Sequence, residues 1–254
     1  DLMDRAHGQD EAVLEGLMLD GNRPVEIVLE PFTILSDTGV IVVENREGSR
    51  HLQEKDIVHL YRGHVLGQAD SQVFLAATKK HINGFIRSSS NSYHLSTGAY
   101  SSSKAEQIHI TPFEGSLKDW SSKGPFCNAD HIEQPFAFDM PEIPARGIGS
   151  DPTCIIIELA VDTDWEYTSN LFSGDAEASA AYALTLSGAV SEIYINDMQV
   201  KIEVSYLRTW EDNSDPYDPY DSGYYLLDQL RDHWNAEMTS VDRDVAHLLS
   251  SPFS

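Results

Sequence analysis

The sequence predicts an α+β chain of two parts, an antiparallel β-rich segment followed by an α/β segment that opens with a βαβ unit. Three observations predict it. Across residues 24–111, short apolar alternations are separated by turn residues at hairpin spacing. Residues 153–161 form an apolar run of strand length. After it, a stretch with helical spacing leads into an alternating run at 200–206, the order strand, crossover helix, strand that gives right-handed parallel neighbours.

The elements follow in chain order. Val25, Ile27 and Leu29 alternate along a first strand, and residues 39–43 make a second after a turn at Ser36-Asp37-Thr38-Gly39. Further strands are expected at 57–65, 72–77, 82–87, 93–96 and 107–111. Spacing this short favours antiparallel sheets over βαβ units. Between 113 and 152 periodicity fades and prolines accumulate, which is linker composition. The domain boundaries expected are therefore a β-rich domain at 1–112, a linker at 113–152 and an α/β part at 153–254. In that last part, residues 153–161 should be a strand buried on both faces. A helix is expected at 175–195, with Ala180, Leu184, Ser187, Val190 and Tyr194 on its apolar side, Glu177 and Glu192 in water, and Asp175 favouring its dipole. A second helix at 222–237 stacks Leu226, Leu230 and Trp234, and residues 243–250 return as a strand.

Composition narrows the function. Acidic residues outnumber basic ones 41 to 17, a formal charge of −24, so nucleic acid and anionic lipid would be repelled. No apolar run reaches the ~18 residues a membrane span requires. The chain begins at Asp1 without a basic-then-apolar leader and is expected to be a piece of a larger precursor.

Two stretches carry a family resemblance. Residues 61–76, YRGHVLGQADSQVFLA, continued by Gly84-Phe85-Ile86-Arg87, resemble the propeptide of the adamalysin (reprolysin) metzincins, with its G-x-V-x-G-x-x-x-S core and following G-x-I strand. Residues 243–250, RDVAHLLS, are similar to that group's H-D-x-A-x-L-L-T signature, with Arg243 where histidine is common. The resemblance implies a secreted zinc metalloendopeptidase precursor, propeptide plus the amino-terminal half of a metzincin-like catalytic domain. It implies zinc as cofactor, a protein or peptide substrate, and an intramolecular propeptide contact. The family's zinc motif, H-E-x-x-H-x-x-G-x-x-H, is absent from these 254 residues, so no catalytic residue is assigned in this chain and the zinc helix is expected beyond residue 254.

Other site residues follow from the same resemblance. Cys127 stands where family propeptides carry a cysteine whose thiolate fills the fourth zinc position. A Cys127–Cys154 disulfide and a partner elsewhere are the competing readings. Arg146 is the basic residue near the expected processing boundary. Glu158 and Asp244 match places where some family members hold a structural calcium, although calcium wants more oxygens than two carboxylates supply. His59 and His64 lie an odd number of residues apart on an extended segment, which puts them on opposite faces. His233 and His247 are read as structural, and the carboxylate-dense loop at 212–221 lacks EF-hand spacing. Two function classes remain: the zymogen part of a secreted metalloendopeptidase, or a non-catalytic inhibitory or binding module derived from one. An extracellular β-sandwich adhesion module would account for residues 24–111 alone.

Overall fold

The structure, a computed structural model, describes residues 12–19, 23–88, 91–98, 108–113, 155–218 and 223–251. Cys127, Cys154 and Arg146, with the readings attached to them, lie outside these residues.

Twelve strands and four helices are described. The first segment holds β1 (Ala12–Leu19), β2 (Arg23–Phe32), β3 (Leu35–Asn45), β4 (Gly48–Leu52), α1 (Glu54–Ile57), β5 (His59–Val65), β6 (Gln68–Ala77), β7 (Ile82–Arg87), β8 (Ser92–Ser96) and β9 (His109–Pro112). The second holds β10 (Ile155–Thr163), α2 (Trp165–Phe172), α3 (Ala176–Met198), β11 (Val200–Trp210), α4 (Gly223–Ala236) and β12 (Val245–Leu249).

Seven strands pair antiparallel in the order β1-β2-β5-β6-β7-β8-β9. Both faces of this sheet are apolar, because successive side chains alternate between two cores. Leu60, Phe74 and Ala76 point to one side, and Tyr61, Val73, Leu75 and Ala77 to the other. The second side is the inside of a curl: Leu14 and Leu17 of β1 and Ile110 of β9 pack on the same cluster from opposite ends of the sheet. A hollow of about 620 Å³ is bordered by Gly16–Met18 and by Ile108–Ile110.

Five strands form a second sheet in the order β12-β10-β11-β3-β4. Here β10 and β11 lie side by side and parallel, Ile155 opposite Val200 and Val161 opposite Leu207, with α3 as the connection. On the other side of β10, β12 is also parallel, with Leu159 opposite Val245. The far edge of β11 is taken by β3 of the first segment, again parallel, with Val42 opposite Arg208. Antiparallel β4 closes that side.

The expected fold class is corrected by this arrangement. The described residues are mostly strand, in a curled seven-stranded antiparallel sheet and a mixed sheet, and not an antiparallel module followed by a metzincin-like α/β half. The cause lies in β3. Ile41, Val42 and Val43 are all at most 5% exposed, so this strand needs cover on both faces, which an edge of the curled sheet would not give. The free side of β11 supplies a ladder, and α3 supplies cover. Ser36–Gly39, expected as a turn, are absorbed into β3 where its register against β11 shifts.

Helix α3 sits between the two sheets. Ser191 Oγ donates to the Ile202 carbonyl of β11 at 2.9 Å, while the position of Gly188 leaves only 3.1 Å between an added Cβ and both Leu60 and Phe74 of the curled sheet. Small residues all around the helix, Ala180, Ala181, Ala183, Ser187 and Gly188, allow both approaches. Glu192, expected in water, is 6% exposed, whereas Val190 and Tyr194, expected on the apolar side, are exposed. An amphipathic reading assumes one buried face, and α3 has two. The helix starts where expected: the Asp175 carboxylate accepts from the Ala178 amide at 3.0 Å. Strand β10 departs from expectation at its start, where Ile155 and Ile156 are about half exposed, and is buried only from Ala160 onward.

The outer face of the mixed sheet is covered by α4. Leu230 and Trp234 of its predicted stripe are buried against Ala160 and Tyr217, with Leu226 beside them. Among the described residues, no helix is long and apolar enough to cross a membrane.

Candidate functional site

Strand β10 is where the chain changes direction. It leaves β10 through α3 to reach β11 on one side, and leaves β11 through α4 to reach β12 on the other. In parallel sheets the crevice outside the carboxyl ends of the strands at such a reversal is the favoured ligand site. Here the residues gathered at that end of the sheet are Asp162 and Thr163 of β10, Asp164 just after it, Arg208 and Trp210 at the end of β11, residues 211–218, and His233 and Trp234 of α4.

Asp162 is fully buried and saturated with donors. Arg208 grips both carboxylate oxygens, Nε to Oδ1 at 3.1 Å and Nη2 to Oδ2 at 2.5 Å. Oδ2 also accepts from the Tyr217 hydroxyl at 2.5 Å and from Trp234 Nε1 at 3.1 Å, and Oδ1 from the Thr163 amide at 3.1 Å. A carboxylate has about four lone-pair sites, so little acceptor capacity is left for water or metal. Burial works to discharge Arg208, but the Asp162 charge outweighs it and raises its pKa further. Burial first, and then the Asp162 charge, push the Tyr217 phenol well above its ordinary range. Arg208 Nη2 lies 2.8 Å from His233 Nε2. Burial, with the arginine charge next, lowers the His233 pKa, so Nε2 acts as the acceptor. The cluster ties β10, β11, the 211–218 loop and α4 together around one carboxylate.

Beside it stand two carboxyls of a different kind. Asp164 caps α2 by accepting from the Tyr167 amide at 2.7 Å, and burial raises its pKa to about 6. Asp215 accepts from the Tyr217 amide at 3.0 Å, and burial, reinforced by the charges of Glu166 and Asp164, raises its pKa to about 7. Carboxyls that exchange protons near neutral pH in a crevice are the usual raw material of acid–base sites. Neither is joined by a metal-ligand set.

The sign of the resulting pH dependence is fixed. Asp215 binds its proton more tightly folded than unfolded, so its contribution to stability is fully present below about pH 4 and is lost progressively as pH rises from there through about 7. Burial lowers the pKa of His94, His233 and His247, which acts in the opposite sense. Asp215→Asn isolates the carboxyl: its stability relative to the parent should rise between pH 5 and pH 8 in urea titrations. A pH-independent difference would show that Asp215 ionises freely.

The sequence-derived candidates are distributed as follows. Glu158 and Asp244 do meet: the Asp244 carboxylate accepts from the Glu158 amide at 2.9 Å, and the Asp244 amide donates to the Glu158 carbonyl at 2.8 Å. The Asp244 oxygen is thus engaged in splicing β12 to β10. No group of three or more His, Cys, Asp or Glu among the described residues is arranged to hold a metal ion, so the zinc and calcium implied by the resemblance have no fitting ligand set there. His59 and His64 stand on β5, in the curled sheet, whereas Asp162 and Arg208 stand on strands of the mixed sheet. In the acidic loop, Asp212 and Asp215 fold the loop on itself, accepting from Ser214 and Tyr217 respectively. Asp162, Arg208 and Tyr217 were not singled out by the sequence. The available signal was an aspartate ending an apolar strand, in Val161-Asp162-Thr163-Asp164.

A smaller polar hollow of about 280 Å³ lies between the curled sheet and α3, lined by Val28, Glu30, Arg62, Gly63, His64 and Glu192. Arg62 Nε donates to Glu30 at 2.6 Å, and its Nη1 stands 3.9 Å from the buried Glu192 carboxylate. Burial raises the Glu192 pKa against the pull of Arg62.

Comparison with known proteins gives limited information. No family profile matches the sequence, and no curated protein matches it significantly. Among solved structures, metalloproteinase-II from Bacteroides fragilis is similar over 94% of this chain, with 11% identity and a TM-score of 0.38. The chain spans 65% of the length of that structure. A likeness at this level assigns neither fold nor family.

Proposed function

We propose that this chain is the precursor part of a secreted zinc metalloendopeptidase, in which residues 1–112 are a propeptide that folds with and shields the segment beginning at residue 153. One observation carries the reading. The first segment is built into the second, with β3 completing its sheet along β11 and the curled sheet covering α3. A segment that supplies a core strand and a helix cover to the rest of its own chain has the physical attributes of an intramolecular folding partner.

The resembling motifs fall on structural positions that suit them. Gly63, Gly67 and Ser71 lie on the β5–β6 hairpin. Gly67 takes φ +80 at its turn, where other residues would be strained. Ser71 Oγ accepts from the Val65 amide at 2.8 Å and donates to the Gln68 carbonyl at 2.6 Å. Residues 243–250 bring β12 alongside β10, with Arg243 donating to the Met238 and Val241 carbonyls at 2.9 and 2.8 Å.

In such an enzyme zinc activates the water that attacks the peptide bond. The described residues take no part in that step; their share is folding and shielding. The full-length natural protein should contain stoichiometric zinc and hydrolyse casein, measured by metal analysis and peptide release. Metal-free, inert material would overturn the proposal in favour of a non-catalytic binding or inhibitory module.

A further inference from the structure

We infer that the two segments remain docked after the chain between Phe113 and Ile155 is cut, the outer edge of β11 and the adjoining face of α3 forming a surface shaped for a parallel strand with its own covering sheet. The occupant is the first segment of this chain, residues 33–76.

Three features support this docking. First, β3 runs parallel to β11 from Leu35 opposite Val204 to Glu44 opposite Trp210, and the Val204 amide donates to the Ile34 carbonyl at 2.8 Å. Main-chain bonds of this kind give affinity in strand addition, and side-chain pockets give register. Second, one apolar cluster is shared by both segments, joining Ile34, Ile41, Leu60 and Phe74 to Val161, Leu184, Val204 and Leu207, all at most 2% exposed. Obligate interfaces look like a domain core cut in half, and this one does. Third, polar contacts ring that core. Asn45 donates to Glu211 at 2.9 Å, Arg50 to Glu211 at 2.7 Å, Gln72 to the Glu192 carbonyl at 2.5 Å, and Arg87 to Asp197 at 3.3 Å. The exposed pairs among them contribute little to affinity but fix the register. The apolar core and the ladder hold the pieces together, and neither depends on the connection being intact.

Severing the connection therefore leaves the second segment covered. Uncovering α3 requires that β3 be drawn out of the mixed sheet, so processing between the segments is not in itself release. The propeptide reading stands or falls on zinc and hydrolysis, whereas this docking is read by association, and either can fail without the other.

The test uses the whole chain with a specific protease site inserted between residues 113 and 155 and cut after folding. In native buffer the two fragments should co-elute on size exclusion at the mass of the uncut chain, and separate only in urea. Gly188→Leu, which drives a side chain into Leu60 and Phe74, should weaken the association of the cut fragments at least tenfold. If that variant does not accumulate, Val43→Ala in β3 should do the same. Fragments of the unsubstituted protein that elute separately in native buffer would overturn the inference. So would a fragment affinity indifferent to these substitutions.

Discussion

Asp162→Ala should lower the unfolding free energy by about 3–5 kcal/mol, the cost of leaving a buried charge without its partner. Arg208 would keep its guanidinium, 7% exposed, among Trp210, His233 and Met238 with no carboxylate to answer it. The Tyr217 hydroxyl and Trp234 indole would lose their acceptor at the same time. For a chain of this size such a loss moves the thermal midpoint by roughly 6–20 °C, at about 2–4 °C per kcal/mol. Calorimetry or urea unfolding measures it directly. Removing both charges as Asp162→Asn with Arg208→Met should recover a large part of the loss, because an absent pair costs less than a broken one. A single variant within about 0.5 kcal/mol of the parent would show that water reaches the cluster and that Asp162 does not organise it.

Gly63→Ala comes next in expected effect. A Cβ at this position would lie 1.8 Å from the Val28 carbonyl oxygen and 3.1 Å from the Leu29 Cα, both backbone atoms of the paired strand β2. No side-chain rotation relieves a clash with a carbonyl. The two strands must separate in the middle of the curled sheet, beside the fully buried Ile27 and Leu29. The loss should reach about 3 kcal/mol, the upper end of overpacking costs. Gly48→Ala is a useful contrast for fit, since nothing lies within 4 Å of its added Cβ, although its φ of +142 carries a strain of its own. Equal urea midpoints for Gly63→Ala and the parent would mean that β2 and β5 pair more loosely than their register implies.

What the sequence made legible was local. Alternation located β2 and β5 to β9, the apolar run located β10, and helical spacing located α3 and α4 with the buried Leu230 and Trp234. Strand β4, Gly48–Leu52, escaped because GSRHL has no apolar alternation; it is an edge strand, largely exposed, held by its turn and by β3. Strand β1 escaped because Gly16, at φ +77, sits where its register slips, which breaks the alternation. Helix α2 is short, and its start depends on Asp164 as cap, a signal that a strand reading of the preceding residues hides.

The larger miss was architectural. Nothing in residues 35–45 states that their partner is β11, because pairing between distant strands is set by which edge remains open after local elements form. The inward turn of Glu192 has the same origin, a second sheet behind α3 that periodicity cannot register. The candidate crevice was half legible. Asp244 and Glu158 were named for calcium and are found stitching strands together, while Asp162 carries its network through Tyr217 and Trp234, which are 55 and 72 positions away.

The β3–β11 ladder also sets a timetable for synthesis. Contacts across it, such as Asn45 with Glu211, span 166 positions. At roughly 5–20 residues per second, β3 leaves the ribosome on the order of ten to thirty seconds before the strand it must join. During that interval Ile41, Val42 and Val43 form an uncovered, strongly β-prone stretch, the kind that seeks any available edge. Production of this protein in a fast-translating host should therefore favour aggregation less than production in one where elongation stalls between residues 45 and 200, and a holding chaperone would be most needed in that window.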